Sequence, residues 1–260
     1  MFKNNHIYRL KDLEFLEKQL VAGKVVAKSL KILEDLVAEK TDKSLIELDL
    51  LIESLIVENK CVPIFKGYKG FPNACCISVN NQLVHGIPTD YKLVDGDIIK
   101  FDLGASYEGC IADAAITCIY GEPKSNLHMK MIEGCRECLK KGIEGIKIDN
   151  RIGSIGEIIF NVASSYGLKV IQSYGGHGID INEKGEGILH SEPFINNKDS
   201  KNNGIRIQEG LVICLEPMVT FGDIGTKVGE DGWSVYTKEV NAHFEHTIFI
   251  GKNGVNIITS

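Results

Sequence analysis

FDLGASYEGCIADAA, residues 101–115, sets two aspartates, Asp102 and Asp113, inside a segment whose other residues read as an apolar hairpin. A turn signal, SYEG, lies between them, and the flanks have the apolar and small residues of strands. Centring that turn on Tyr107–Glu108 predicts that the aspartates stand directly opposite, on one face, at about 5 Å. Two like charges so placed repel, and buried carboxylates are costly unless compensated. A cation between them would compensate, as would a shared proton; two solvent-facing acids would need neither.

The rest of the chain narrows the setting. It has 260 residues, 43% hydrophobic and 25% charged, enough for a large core. A net charge of -6 argues against a phosphate-backbone binder, so no direct nucleic-acid role is expected. No apolar run approaches the roughly 20 residues of a membrane span. The N-terminal MFKNNHIYRLKDLEFLEKQ turns charged before any signal-like apolar stretch, so a soluble, cytoplasmic chain is expected. Eight cysteines in such a chain are expected as reduced thiols. Cys135 and Cys138 form a C-x-x-C without a second pair, which reads as a helical face rather than half a zinc site.

Helical spacing runs through residues 11–40, with an interruption expected near Gly23. Helices follow at about 44–59 and 154–166, each with a capping-box signal (Ser44 with Glu47, Ser154 with Glu157), and at 124–143. Strand-like runs cover 74–80, 96–104, 110–120, 168–175, 204–210, 211–222 and 242–251. That order predicts an α+β fold with a mostly antiparallel sheet. No linker or repeat divides it, so one domain over 1–260 is expected, with 1–62 as its N-terminal helical part. GYKGFPN and GGHGID are glycine-rich, but neither matches a phosphate-binding fingerprint.

Three further places bear on the aspartates. His177 stands between glycines in GGHGID, where the chain can present an imidazole without steric cover. Glu216 ends an apolar run just before Pro217, and Glu245 alternates with His243 in another. Singly, each could be a structural histidine or a lysine-paired glutamate. Together, two Asp, one His and two Glu suit two divalent cations about 3.5–4 Å apart. A donor set without cysteine favours Mn, Fe, Co or Zn.

These residues, with the stretches FKGYKGFPNACCISVNNQLVHGIP, GDIIKFDLGASYEGCIADAA, YGGHGI, LHSEP, LVICLEPMV and DGWSVYTKEVNAHFEHTI, resemble the type I methionine aminopeptidases of the M24 metallopeptidases. The resemblance covers about residues 63–250. It implies the pita-bread fold of the creatinase/aminopeptidase kind, a pseudo-symmetric antiparallel sheet with helices on its outer face and a dinuclear metal site on its inner face. It implies Asp102, Asp113, His177, Glu216 and Glu245 as metal ligands, with Asp113 and Glu245 bridging. It implies a hydrolase that removes N-terminal methionine from nascent proteins and peptides, preferring a small second residue, by means of a metal-activated water. Glu216 is then the proton shuttle, His85 faces the scissile amide and leaving amine, and His190 bonds the carbonyl or the intermediate. The methionine pocket would be walled by Phe65, Tyr68, Phe71, Cys76, Leu189 and Trp233, a sulfur-friendly lining. Phe65, Tyr68 and Phe71 could also be core.

Some positions depart from the family pattern. The segment between His177 and His190 is longer than expected, with Asp180 where glycine is common and Leu189 where an aromatic is common. NEKGEG within it reads as a surface excursion. A zinc-finger or polylysine ribosome-docking extension is not seen, nor the insertion of type II relatives; a monomer meeting nascent chains at the ribosome is expected. The alternatives are an Xaa-Pro peptidase of the same fold, which usually carries a large N-terminal domain, and an inactive binding relative, which usually lacks ligands.

Overall fold

Helix α1 (Leu13–Ala38) begins where Asp12 accepts a bond from the Phe15 amide and runs unbroken through Gly23. The glycine is not an interruption but a point of close approach: a Cβ there would sit 2.1 Å from the Ile258 carbonyl oxygen. Helix α2 (Leu45–Glu58) carries the capping box expected from Ser44 and Glu47. The computed structural model describes residues 9–260. Residues 1–8, where the stretch read as too charged for a signal begins, lie outside the described residues.

Strands β1 (Val62–Pro63), β2 (Cys75–Val79) and β3 (Gln82–Val84) lead into the long hairpin of β4 (Ile98–Tyr107) and β5 (Cys110–Ile119). Helices α3 (Asn126–Glu144) and α4 (Gly153–Ser165) follow. The capping box expected at Ser154 does not form: the helix starts one residue earlier, and the Ser154 hydroxyl donates back to the Arg151 carbonyl. Cys135 and Cys138 lie buried on α3, and their thiols reach backbone carbonyls, which bears out the helical-face reading.

The second half adds β6 (Lys169–Val170), β7 (Gly175–Ile181), β8 (Gly187–Asn196), β9 (Val212–Leu215), β10 (Met218–Thr220), β11 (Lys227–Val228), β12 (Val235–Tyr236), β13 (Asn241–His243), β14 (Glu245–Gly251) and β15 (Gly254–Ile257). Two sequence expectations change here. Residues 204–210 form no strand beyond a single bridge at Arg206. The runs at 211–222 and 242–251 each break in two, at Glu216–Pro217 and at Phe244. NEKGEG (182–187), read as a surface excursion, is the largely exposed turn that joins β7 to β8, with only its last glycine in paired strand.

The main sheet has nine strands in the order β1-β4-β5-β14-β9-β7-β8, with β2 also on β4 and β15 on β14. All its pairings are antiparallel. Odd-numbered β4 residues Ile99, Phe101 and Leu103 point outward into a core shared with α1 and α2. A second core joins α3 and α4 to Ile213, Leu215 and Ile248. Each fully buried side chain of this kind contributes about 1.5–3 kcal/mol, which anchors both helix pairs to one face of the sheet. The opposite face carries Asp102.

Candidate metal centre

The β4–β5 hairpin turns one residue later than its sequence suggests. Tyr107 pairs with Cys110, leaving Glu108 (φ 47) and Gly109 (φ 80) as a two-residue turn with both residues left-handed, as hairpin twist favours. Asp102 therefore faces Ala115 and Asp113 faces Gly104, so the aspartates are diagonal neighbours on the same face rather than directly opposed. The diagonal keeps them close while Ala115 and Gly104 leave room between them.

The sheet order delivers the remaining residues. Glu245 pairs with the same Ala115 from the β14 side, and His177 on β7 pairs with Cys214 on β9. Glu216 follows β9 immediately, where the break before Pro217 lets its carboxylate turn inward. All five sequence-predicted ligands line one cavity of about 430 Å³, together with His85, His190, Phe65, Tyr68, Phe71, Cys76, Leu189 and Trp233. Those thirteen come from positions 65 to 245, and the structure brings every one of them together.

All five ligand candidates are buried. The Nε2 atom of His177 is 3.8 Å from Oε1 of Glu216 and 3.9 Å from Oε1 of Glu245. Its Nδ1 meets the Gly178 carbonyl at 3.1 Å, and a carbonyl can only accept, so the ring proton sits on Nδ1 and Nε2 presents a lone pair to the cavity. Burial pushes this imidazole's pKa down to about 4. Burial also raises all four carboxyls, and mutual repulsion adds to the effect at Asp102, Glu216 and Glu245. Oδ1 of Asp102, Oδ1 of Asp113 and Oε1 of Glu245 are buried without any hydrogen-bond partner. Unpaired buried oxygens of this kind are strongly disfavoured without a cation, and oxygen with imidazole donors suits divalent Mn, Fe, Co or Zn. The residues therefore fit a divalent metal site.

The surrounding residues complete the cavity. His85 has a left-handed backbone (φ 57), a strained conformation for a non-glycine residue, and its ring stands edge-on to Tyr174 at 6.0 Å. His190, on β8, is 2.9 Å from the Tyr68 hydroxyl, and its ring centroid is 4.4 Å from that of His177. The edge of Trp233 meets Phe71 at 5.2 Å. Asp180, the departure noted in β7, accepts from the Arg9 and Ile181 amides and the Lys11 ammonium, fastening residues 9–11 to β7.

Other cavity residues were not singled out from the sequence: Tyr174, Val84, Met218, Lys69 and Phe194. Two potential donors also lie close by. Sγ of Cys214 belongs to a group with Asp113, His177 and Glu245 whose donor atoms lie within 4.8 Å of one another, and His243 forms another with Glu216 and Glu245. The alternation of His243 with Glu245 was the one signal for the second.

A model of metallopeptidase family M24 matches residues 17–252. The methionine aminopeptidase of Mycoplasma capricolum subsp. capricolum is 41% identical over 252 residues, covering 96% of this chain and 97% of that one. A crystal structure of methionine aminopeptidase from Thermotoga maritima matches with a TM-score of 0.91 and 36% identity, covering 97% of this chain and 99% of that one. The prolidase from Pyrococcus furiosus matches at a TM-score of 0.71 and 22% identity, covering 96% of this chain and 65% of that one, a likeness of fold alone. Four helices outside a curled antiparallel sheet, with a cluster of buried acids and imidazole on its inner face, make this the pita-bread fold. With its architecture, its buried donor cluster and full-length matches agreeing, the chain belongs to metallopeptidase family M24, among the methionine aminopeptidases.

Proposed function

We propose that this chain removes the N-terminal methionine from nascent proteins and peptides with a small second residue, and that Asp102, Asp113, His177, Glu216 and Glu245 hold two divalent cations for that purpose. The observation that carries the ligand set is the convergence of these five buried side chains on one cavity, three of them with an unpartnered oxygen. Divalent cations held there supply the positive charge that makes a water nucleophilic near neutral pH and stabilises a developing oxyanion. Mn, Fe, Co and Zn are the candidate ions.

The protein's own groups handle orientation and protons. Glu216 takes the proton of the attacking water and passes it towards the leaving amine, work suited to a carboxylate in a dry site. His85 faces the scissile amide and the leaving amine. His190, steadied by Tyr68, donates to the substrate carbonyl or the tetrahedral intermediate. Phe65, Tyr68, Phe71, Cys76, Leu189 and Trp233 enclose the methionine side chain, whose polarizable sulfur packs well against aromatic rings.

Residues 1–260 act as one catalytic domain, a reading supported by the packing of α1 on β4 and β5. Among the described residues no helix is long and apolar enough to cross a membrane. We place the chain in the cytoplasm, as a monomer that meets its substrates at the ribosome.

The test is peptide cleavage by chelator-stripped protein supplied separately with Mn, Fe(II), Co and Zn. Metal-dependent release of methionine, faster from Met-Ala-Ser than from Met-Leu-Ser, supports the proposal. Cleavage of Ala-Pro-Ser alone would move the protein to the proline peptidases, which share the fold. Silence with every ion, while ions bind, would mean that the site serves something other than hydrolysis.

A further inference from the structure

His243 is a buried imidazole that the ligand set leaves without a task. It ends β13, is 1% exposed, and neither ring nitrogen has a hydrogen-bond partner. Every imidazole carries at least one N–H, and burying that donor unpaired is costly. The ring faces the two glutamates of the metal centre: Nε2 is 3.5 Å from Oε2 of Glu216 and 4.0 Å from Oε2 of Glu245. His177 addresses the same glutamates through their Oε1 atoms. The two oxygens of Glu216 thus face different imidazoles.

The imidazoles differ in what they can offer. The His177 proton is committed to the Gly178 carbonyl, so its Nε2 meets Glu216 as a lone pair, a contact that only a cation makes favourable. Nothing commits the His243 proton, and Nε2–H aimed at Oε2 would satisfy a donor and an acceptor together. At 3.5 Å the pair stands at the outer edge of hydrogen-bond range, and a side-chain rotation of about half an ångström brings it within. The backbones on both sides are braced: the His243 amide donates to the Thr117 hydroxyl at 2.9 Å, the Thr117 hydroxyl donates to the His243 carbonyl, and Asn197 Nδ2 donates to the Glu216 carbonyl at 3.1 Å. His243 also pairs across strands with Met218, two residues beyond Glu216.

We propose that His243 is a positioning residue for Glu216, its Nε2–H holding Oε2 so that Oε1 stays turned towards His177 and the cation side. The inference rests on the assignment of Glu216 to the centre. It concerns orientation alone, because His243 stands behind the cavity wall and is not among the residues that line it.

The test uses the full chain loaded with Co(II), in the wild type and in His243→Gln, His243→Leu and Glu216→Gln. Glutamine keeps an N–H donor, whereas leucine keeps bulk and loses the donor. For Met-Ala-Ser, His243→Leu is expected to lower kcat by about 10–100-fold with KM within about twofold, in line with outer-shell partners of metal ligands. It should alter the visible absorption of the bound cobalt, leave the equivalents of cobalt unchanged, and be largely rescued in kcat and spectrum by His243→Gln. A leucine variant that matches the wild type in kcat and spectrum overturns the proposal, as does a glutamine variant as impaired as leucine. Loss of a cobalt equivalent in the leucine variant overturns it in favour of direct ligation. Full activity of Glu216→Gln would instead overturn the assignment of Glu216, and the proposal with it.

Discussion

Nδ1 of His190 and the hydroxyl of Tyr68 lie 2.9 Å apart, joining residues 122 positions apart in the chain across the wall of the cavity. The contact links the histidine proposed to meet the substrate carbonyl to an aromatic wall of the methionine pocket. Removing the hydroxyl by Tyr68→Phe should leave the pocket's shape and free the imidazole. We expect kcat/KM for Met-Ala-Ser to fall about fivefold, the equivalent of roughly 1 kcal/mol for one hydrogen bond. Initial rates beside metal analysis check this; unchanged rates would remove Tyr68 from the positioning of His190.

Asp102→Asn and His177→Ala each delete a donor from the buried set. Both should weaken cation binding and abolish turnover, because the remaining oxygens cannot neutralise the ion as well. Cation content after desalting, measured by elemental analysis, is the readout. Either variant binding the wild-type complement would take that residue out of the ligand set.

His85 is held in a left-handed backbone beside Tyr174 but is proposed to touch substrate rather than cation. His85→Ala should therefore lower kcat by about 100-fold, a typical loss for a general acid–base group, with cation content intact. Parallel loss of cation would show the assigned role to be wrong.

Asp97 precedes β4, and its buried carboxylate accepts from Asn80 Nδ2 at 2.9 Å, the Tyr91 hydroxyl at 2.7 Å and the Val94 amide at 3.0 Å. Burial alone would raise its pKa, but these bonds, with Lys124 near, outweigh it and hold the carboxyl below its ordinary value. A folded-state pKa below the unfolded one stabilises the protein above the ordinary aspartate value of about 3.9, and that contribution is lost as the pH falls further, through the folded value. Asp97→Asn should cost about 2 kcal/mol at neutral pH. Urea midpoints of wild type and variant should converge below about pH 4, and a gap independent of pH would contradict the linkage.

Much of the fold could be read along the chain because its signals are local. The Ser44–Glu47 capping box, the apolar spacing of α1 and the alternation in β4 each involve residues within a few positions of one another. Where the reading failed, a distant contact had decided the local structure. Gly23 looks like a helix breaker until the Ile258 carbonyl is seen to need its missing side chain. The glycines of GGHGID carry no strand signal of their own, yet backbone pairing with β8 and β9 makes the segment a strand. Residues 204–210 have strand composition but no long partner.

The chemistry divides in the same way. Sequence alone determined the inventory: which carboxylates and imidazoles sit among apolar neighbours, and so which would need a cation if buried. It also determined their side of each strand, because alternation is a property of the extended backbone. Tertiary structure alone decided how they meet. The ladder sets Asp113 diagonal to Asp102, carries Glu245 to the far side of Ala115, and brings His243 to the free oxygen of Glu216. Register and strand order arise from pairings between segments many residues apart, and no stretch of sequence contains both partners.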